Sequence, residues 1–323
     1  MPRLLMIKTT SLGDVIHNLP VITDIKAAFP NMEIDWVVEE SFADIPRLHP
    51  GVDQVITVAV RRWRKHLFQA STWREIRNLR HHLRARPYNY IIDTQGLLKS
   101  ALIGWQATGA YHGQDSASAR ESWAAAFYQH RHPVARNQHA VTRNRELTAH
   151  ALGYTIPSSA PDYGITASSP DPALRLPAHY VVGLHATSRD SKLWPEENWI
   201  TLGNTLHQQG FTLALPWGNA NEQARAQRIA SAIPAGMVLP RLSLNALAAV
   251  IAHGHAAIGV DTGLVHLAAA LNLPTVAIYT DTDPKLTGVF AHDKNKVRNL
   301  GGQGQIPDVE TVLKALAQIT SKK

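Results

Sequence analysis

The strongest constraint in this sequence is an alternation that runs along it twice, in which short apolar runs are separated by longer stretches with helical apolar spacing. In the first half the runs are LLMI at 4–7, IDWVV at 34–38, QVITVAV at 54–60 and YIID at 90–93. Between them lie helical stretches that include residues 22–29 and the basic run 63–86. The short runs read as buried strands, and strand alternating with helix implies a largely parallel sheet, because parallel neighbours need a crossover. Residues 156–177 are rich in Pro and Ser, the composition of a linker. The pattern then restarts with YVVGLHA at 180–186, FTLALPWG at 211–218, AAIGVD at 256–261 and TVAIYT at 275–280. Helices are expected at 197–208 and 222–232, and Leu264, Leu267, Ala268 and Leu271 share one face of another. The expected architecture is α/β throughout. A first domain covers 1–155, a linker 156–177 and a second domain 178–323, whose last helix is a candidate to pack back on the first. A length of 323 residues suits two such domains. Two sheets facing across a linker form a cleft, so functional side chains are expected at strand C-terminal ends.

Several chemistries are excluded at once. Cysteine is absent, which removes disulfides, thiolate nucleophiles and Cys-ligated metals. No stretch of about 18 uncharged apolar residues occurs, so no membrane span is expected. The opening MPRLLMIKTTSLGD places Lys8 directly after a short apolar run and lacks a small-residue cleavage site. It reads as a first strand rather than a secretory signal, which leads us to expect a cytoplasmic protein. GxGxxG, GxxxxGK[ST] and GxSxG are all missing, which argues against a nicotinamide dehydrogenase, a P-loop NTPase and a Ser hydrolase. The pairs His81–His82 and His253–His255 have no acidic neighbour at ligand spacing and read as surface or packing residues. Lys and Arg outnumber Asp and Glu by 32 to 25. That excess favours an anionic partner, whether nucleic acid, a membrane surface or a phosphorylated substrate.

Four strand ends carry the candidate chemistry. KTTSLGDVIHNLP follows the first strand with Gly13 in an expected tight turn and Asp14 at a helix start, with a second helix restarting around Pro20. Asp14 there fits either an ordinary helix cap or a group aimed at the cleft. GVDTGLVHLAAAL delivers Asp261, Thr262 and Gly263 to a helix whose free N–H groups suit a diphosphate, with His266 as a further donor. A capped helix with a semi-buried histidine fits the same residues. HATSRDSKLWPEENW sends Thr187, Ser188 and Lys192 into a loop, where the hydroxyl pair beside a cation fits a diphosphate clamp and a lone lysine equally fits a solvated loop. LPWGNANE brings Glu222 to a helix start, where it can accept from ribose hydroxyls or simply favour the macrodipole.

Taken together, KTTSLGDVIHNLP, DWVVEESFADIP, VAVRRWRK, DTQGLLKSALI, SARE, QHAVTRNREL and the other three strand ends resemble the lipopolysaccharide heptosyltransferase family over essentially the whole chain. VDTGLVHL is shared across that family, whereas RRWRK and DTQGLLKSA are more typical of the members that add the first heptose. The resemblance implies a glycosyltransferase-B fold of two Rossmann-like domains. It implies inverting transfer of L-glycero-D-manno-heptose from ADP-heptose to the Kdo of Kdo-lipid A. Asp14 becomes the general base. Thr187, Ser188, Lys192, Glu222, Asp261, Thr262, Gly263 and His266 become donor-site residues. Arg61, Arg62, Arg64 and Lys65, with Arg120 and Lys99 near them, are assigned to the Kdo carboxylates and lipid A phosphates. Trp63, Leu67 and Phe68 read either as lipid contacts or as ordinary core.

No cofactor and no metal are expected, because Lys192 and the helix near Leu264 would supply the positive charge. Asp281, Thr282 and Asp283 spell DxD, a spacing used elsewhere for a divalent ion. Here it reads as a departure from the family's usual YGPTDP at that strand end. The enzyme is expected at the cytoplasmic face of the inner membrane and without a nucleic-acid partner; its oligomeric state is left open, a monomer being one of the states that fit. The rivals are a family member that adds a later heptose or another sugar, and a non-catalytic basic protein that binds nucleic acid.

Overall fold

Residues 1–234 and 236–321 are described by a computed structural model. Six strands form the sheet of the first unit: β1 (Arg3–Ile7), β2 (Glu33–Glu39), β3 (Gln54–Val58), β4 (Tyr90–Asp93), β5 (Ala110–Gln114) and β6 (His130–His132). Six more form that of the second: β7 (Tyr180–Leu184), β8 (Thr212–Leu215), β9 (Gly236–Val238), β10 (Ala256–Val260), β11 (Thr275–Tyr279) and β12 (Val297–Gly301). The sheet orders are β3-β2-β1-β4-β5-β6 and β12-β11-β10-β7-β8-β9, and each pairing is parallel. Each order runs outward from its first strand and then reverses. The switch therefore falls between β1 and β4 in one unit and between β7 and β10 in the other, where α/β sheets open a ligand crevice.

β1, β4, β7, β10 and β11 lie at or beside these switch points and consist almost wholly of buried residues, because helices cover both faces of a parallel sheet. Leu5, Ile7, Val37 and Ile91 belong to one core, and Val181, Leu213, Ile258 and Ile278 to the other. Each such side chain contributes roughly 1.5–3 kcal/mol by leaving water. The chain divides into two compact units, Met1–Ser159 and Ala160 onward. Most of the expected linker thus belongs to the second unit. The C-terminal helix Val309–Thr320 places Val312, Ala315, Leu316 and Ile319 in the second unit's own core.

Some expected elements shift. The run QVITVAV ends as a strand at Val58, and Val60 opens the helix Val60–Lys65. The basic stretch after it is two helices, since a second begins at Ala70 and runs to Arg84. Gly13 is not in a turn but inside the helix Leu12–Ile16, and the next helix, Leu19–Ala28, carries Pro20 in its first turn. A buried ion pair between Arg145 and Asp24, 2.6 Å and two-pronged, locks that helix to the helix Ala140–Leu152.

Candidate active site

In the first unit the site is built on the C-terminal ends of β1 and β4. Asp14 is the third residue of the helix Leu12–Ile16, not its cap. The cap is Ser11, whose backbone N–H and hydroxyl donate to Asp14 Oδ2 at 2.9 and 3.1 Å. Asp14 Oδ1 takes no hydrogen bond from the described residues. One oxygen is thus fixed by the turn and the other is open, which is the geometry a proton acceptor needs. Arg120 approaches the fixed oxygen at 3.7 Å with a largely exposed side chain.

The loop before Asp14 is held from below. Gln95 Oε1 accepts from the N–H groups of Thr9 and Thr10, both at 3.1 Å. Gln95 is itself placed by Asp93, whose carboxylate receives the Gln95 and Gly96 N–H groups, the Ser100 hydroxyl and the Tyr128 hydroxyl. Burial pushes the Asp93 carboxyl up, and these four donors hold it back. Gly96 turns at φ +64°, and an added Cβ would press on Gln114 and the Arg120 backbone, so DTQG needs its glycine. Lys8 is buried beneath, donating to the Thr94 carbonyl at 2.8 Å and reaching Asn144 at 3.5 Å. Its burial lowers its pKa, and Asp14 and Asp93 oppose that shift.

The six expected acceptor cations do not all serve one place. Lys99 donates to Thr10 in the Asp14 loop at 2.9 Å. Burial lowers its pKa, Glu39 opposes this, and Arg61, Arg64 and Arg120 push it further down, so these four cations share one region. Arg61 is held there by its backbone N–H on buried Glu39 at 3.0 Å. Arg62 points elsewhere, bridging Glu40 and Glu75 at 3.1 and 3.0 Å, beside a cavity of about 490 Å³ against β3. The two carboxylates raise its pKa and occupy its donors. Lys65 is exposed at the end of the same helix. Trp63 is a core residue that donates to Glu75 at 2.7 Å, whereas Leu67 and Phe68 are exposed. Arg136 and Arg143, which the sequence did not single out, add cations by bonding the carbonyls of the 118–119 segment.

In the second unit Asp261 organises the ends of β7, β10 and β11. Its Oδ2 accepts from Lys192 at 2.5 Å and from the Thr282 hydroxyl at 2.7 Å, and its carbonyl accepts from the Thr187 hydroxyl at 2.9 Å. Thr262 precedes the helix Gly263–Ala270 in extended conformation and makes no side-chain cap bond, which leaves its hydroxyl and the first helical N–H groups for an anion. His266 is buried within that helix, and Ser188 is exposed in the loop after β7. Glu222 completes a reciprocal cap, accepting from the Gly218 N–H and the Asn219 amide, both at 2.7 Å. Two of its roughly four acceptor positions remain.

The DxD acids diverge. Asp281 accepts from Ser191 at 2.7 Å, and Asp283 caps the turn Pro284–Thr287 through the Lys285 N–H at 2.9 Å. Among the described residues no group of three or more His, Asp or Glu side chains is placed to hold a metal ion.

His185, just beyond β7, is fully buried and donates through Nε2 to the Pro216 carbonyl at 3.1 Å. Burial, reinforced by Arg225, lowers its pKa from 6.5 to about 4. The unfolded chain therefore takes up this proton first as pH falls. The imidazole's contribution is complete above pH 6.5, declines as pH falls toward 4 and is constant below. Stability should fall by up to about 1.4 kcal/mol per pH unit across that window from this group. Urea midpoints measured from pH 7 to 4 for wild type and His185→Gln check it. A slope unchanged by the substitution would contradict it.

Two parallel sheets of six strands, each reversing its strand order at a switch point that carries polar residues, are the two Rossmann-like domains of the glycosyltransferase-B architecture. The chain belongs to glycosyltransferase family 9 (heptosyltransferase), whose model matches residues 76–315. It is 44% identical over 302 residues to lipopolysaccharide heptosyltransferase 1 of Escherichia coli, covering 93% of each chain. To the protein of that name from Pseudomonas aeruginosa it is 46% identical over 296 residues, 90% of this chain and 82% of the other. The solved structure of E. coli heptosyltransferase WaaC with ADP superposes with a TM-score of 0.87 at 42% identity, covering 99% of this chain and 96% of that one. WaaC with ADP-2-deoxy-2-fluoro heptose gives 0.86 at 41% identity and covers 99% of each.

Proposed function

We propose that this enzyme transfers L-glycero-D-manno-heptose from ADP-heptose to the Kdo of Kdo-lipid A, with inversion and without a metal, in building the lipopolysaccharide inner core. The relatives named for this activity support heptose transfer, and the WaaC structures contain ADP or an ADP-heptose analogue. The observation that carries the mechanism is the half-fixed carboxylate of Asp14 among cations.

In this reading the open oxygen of Asp14 takes the proton of the Kdo hydroxyl as that oxygen attacks the anomeric carbon. The proton leaves late, because a carboxylate is a weak base and the sugar reaches an oxocarbenium-like state first. Arg61, Arg64, Lys99 and Arg120 bind acceptor carboxylate and phosphate, with Lys65 beside them. Arg62 would have to leave Glu40 and Glu75 to join them. On the donor side the N-terminus of the helix Gly263–Ala270, with Thr262, Thr187, Ser188 and Lys192, holds the diphosphate and takes up charge as ADP departs. Glu222 accepts from the ribose, and His266 supports the helix. The work is done at the cytoplasmic face of the inner membrane.

The test is a transfer assay with ADP-heptose and either Kdo-lipid A or an acceptor that already carries heptose, each with and without EDTA. Transfer to the first acceptor only, at an EDTA-independent rate, is expected. Preference for the heptosylated acceptor would assign a later step, and loss with EDTA reversed by magnesium would overturn metal independence.

A further inference from the structure

The helix Leu98–Gly104 of the first unit leaves one side uncovered. At 100° per residue, Leu98, Leu102 and Trp105 fall within an arc of about 60°. They are 40%, 43% and 63% exposed, while Ser100, Ala101, Ile103 and Gly104 are buried. The Trp105 ring meets Phe127 edge-on at 6.3 Å between centroids. Phe127 ends the short turn Ser122–Phe127, which also carries Trp123, 80% exposed. The Leu98 N–H donates to Glu121 at 2.7 Å, so helix and turn form one fixed surface. Scattered apolar residues on a surface need no explanation. Four on one surface, two of them Trp, mark an interaction site.

Cations border this surface. Lys99 is on the same helix, Arg120 adjoins Glu121, and Arg84 donates to the Gln106 carbonyl at 3.0 Å. Arg61 and Arg64 act electrostatically on Lys99, and the loop that follows their helix exposes Leu67 and Phe68. Trp and Leu bordered by Arg and Lys is the composition of a surface that lies in a bilayer interface, with rings at headgroup depth and cations on anionic lipids. A second copy of the chain would bring like charges together.

We propose that Leu98, Leu102, Trp105 and Trp123 dock the enzyme on an anionic lipid bilayer, beside the cations that receive the acceptor headgroup. The proposal rests on the glycolipid acceptor read above, but its test needs no turnover. Co-sedimentation is measured with phosphatidylcholine vesicles containing about one-third phosphatidylglycerol and no acceptor. Wild type should bind, and the Leu102→Ser/Trp105→Ser/Trp123→Ser variant should bind at least about tenfold more weakly. Its melting temperature and its turnover of detergent-dissolved acceptor should be unchanged. Trp123→Ser alone, at the most exposed position, should bind about threefold more weakly, which keeps the test decisive if the triple variant does not fold. Vesicle binding equal to wild type, or absent in wild type, would overturn the proposal. So would a dimer that the substitutions split with no change in lipid binding. Loss of vesicle binding in the variants, with no heptose transferred by wild type to any acceptor, would leave the docking surface standing and remove the acceptor reading.

Discussion

Asp14→Asn should lower turnover by about 10²–10⁴-fold while leaving ADP-heptose affinity within about threefold of wild type. The asparagine amide oxygen can still accept the Ser11 N–H that the carboxylate receives at 2.9 Å, so the helix start keeps its form. What it lacks is the open, basic oxygen. Asp14→Ala loses the cap bond as well, which should add about 1 kcal/mol of destabilisation to the same catalytic loss. The pair separates chemistry from folding: equal loss of turnover in both with different melting temperatures is the expected pattern. If Asn turned over like wild type while Ala failed, Asp14 would hold Ser11 at the helix start and nothing more. Rates under saturating donor and acceptor, with donor titrations in parallel, make the distinction.

Lys192→Ala should weaken ADP-heptose binding and slow turnover together, by about 10²–10³-fold in kcat/KM. The substitution does more than remove a cation. Asp261 Oδ2 is shared by Lys192 at 2.5 Å and Thr282 at 2.7 Å. Without the ammonium, that carboxylate turns its charge toward the diphosphate site with one neutral donor left. Asp261→Asn in the same background should therefore recover part of the lost donor affinity, because it removes the repulsion. Calorimetric titration of both variants with ADP is the check. Affinity unchanged in Lys192→Ala would take the lysine out of the donor site. No recovery in the double variant would mean that Asp261 serves only to orient the loops after β7, β10 and β11.

The two variants should differ in kind, since Asp14→Asn spares binding and Lys192→Ala does not. That contrast follows from their places at the switch points of different units.

Much of this was legible in the sequence, for physical reasons. β1, β4, β7, β10 and β11 are buried on both faces and so read as uninterrupted apolar runs. β5 (AYHGQ), β6 (HRH) and β12 (VRNLG) carry polar residues and lie toward sheet edges, where no apolar run is required, and they went unread. At the site, Asp14, Lys192 and Asp261 stood out because strand ends point them out. Their pairings did not: Lys8 bonds a residue 86 positions away, and Lys192 meets Asp261 across 69. Arg62 shows the converse. Its residue type and position matched its neighbours in RRWRK, but Glu40 and Glu75, distant in sequence, took its guanidinium. A basic run discloses charge and leaves open which acids have already claimed it. The two DxD acids turn apart, Asp281 to Ser191 and Asp283 to the start of the helix Pro284–Thr287.

The most direct measurement is the mass and anomeric configuration of the product formed from purified enzyme, ADP-β-heptose and Kdo-lipid A. The expected product is Kdo-lipid A heavier by one heptose, with the new linkage inverted to α by NMR. A retained β linkage, or consumption of ADP-heptose with heptose released to water and none on Kdo, would contradict the account.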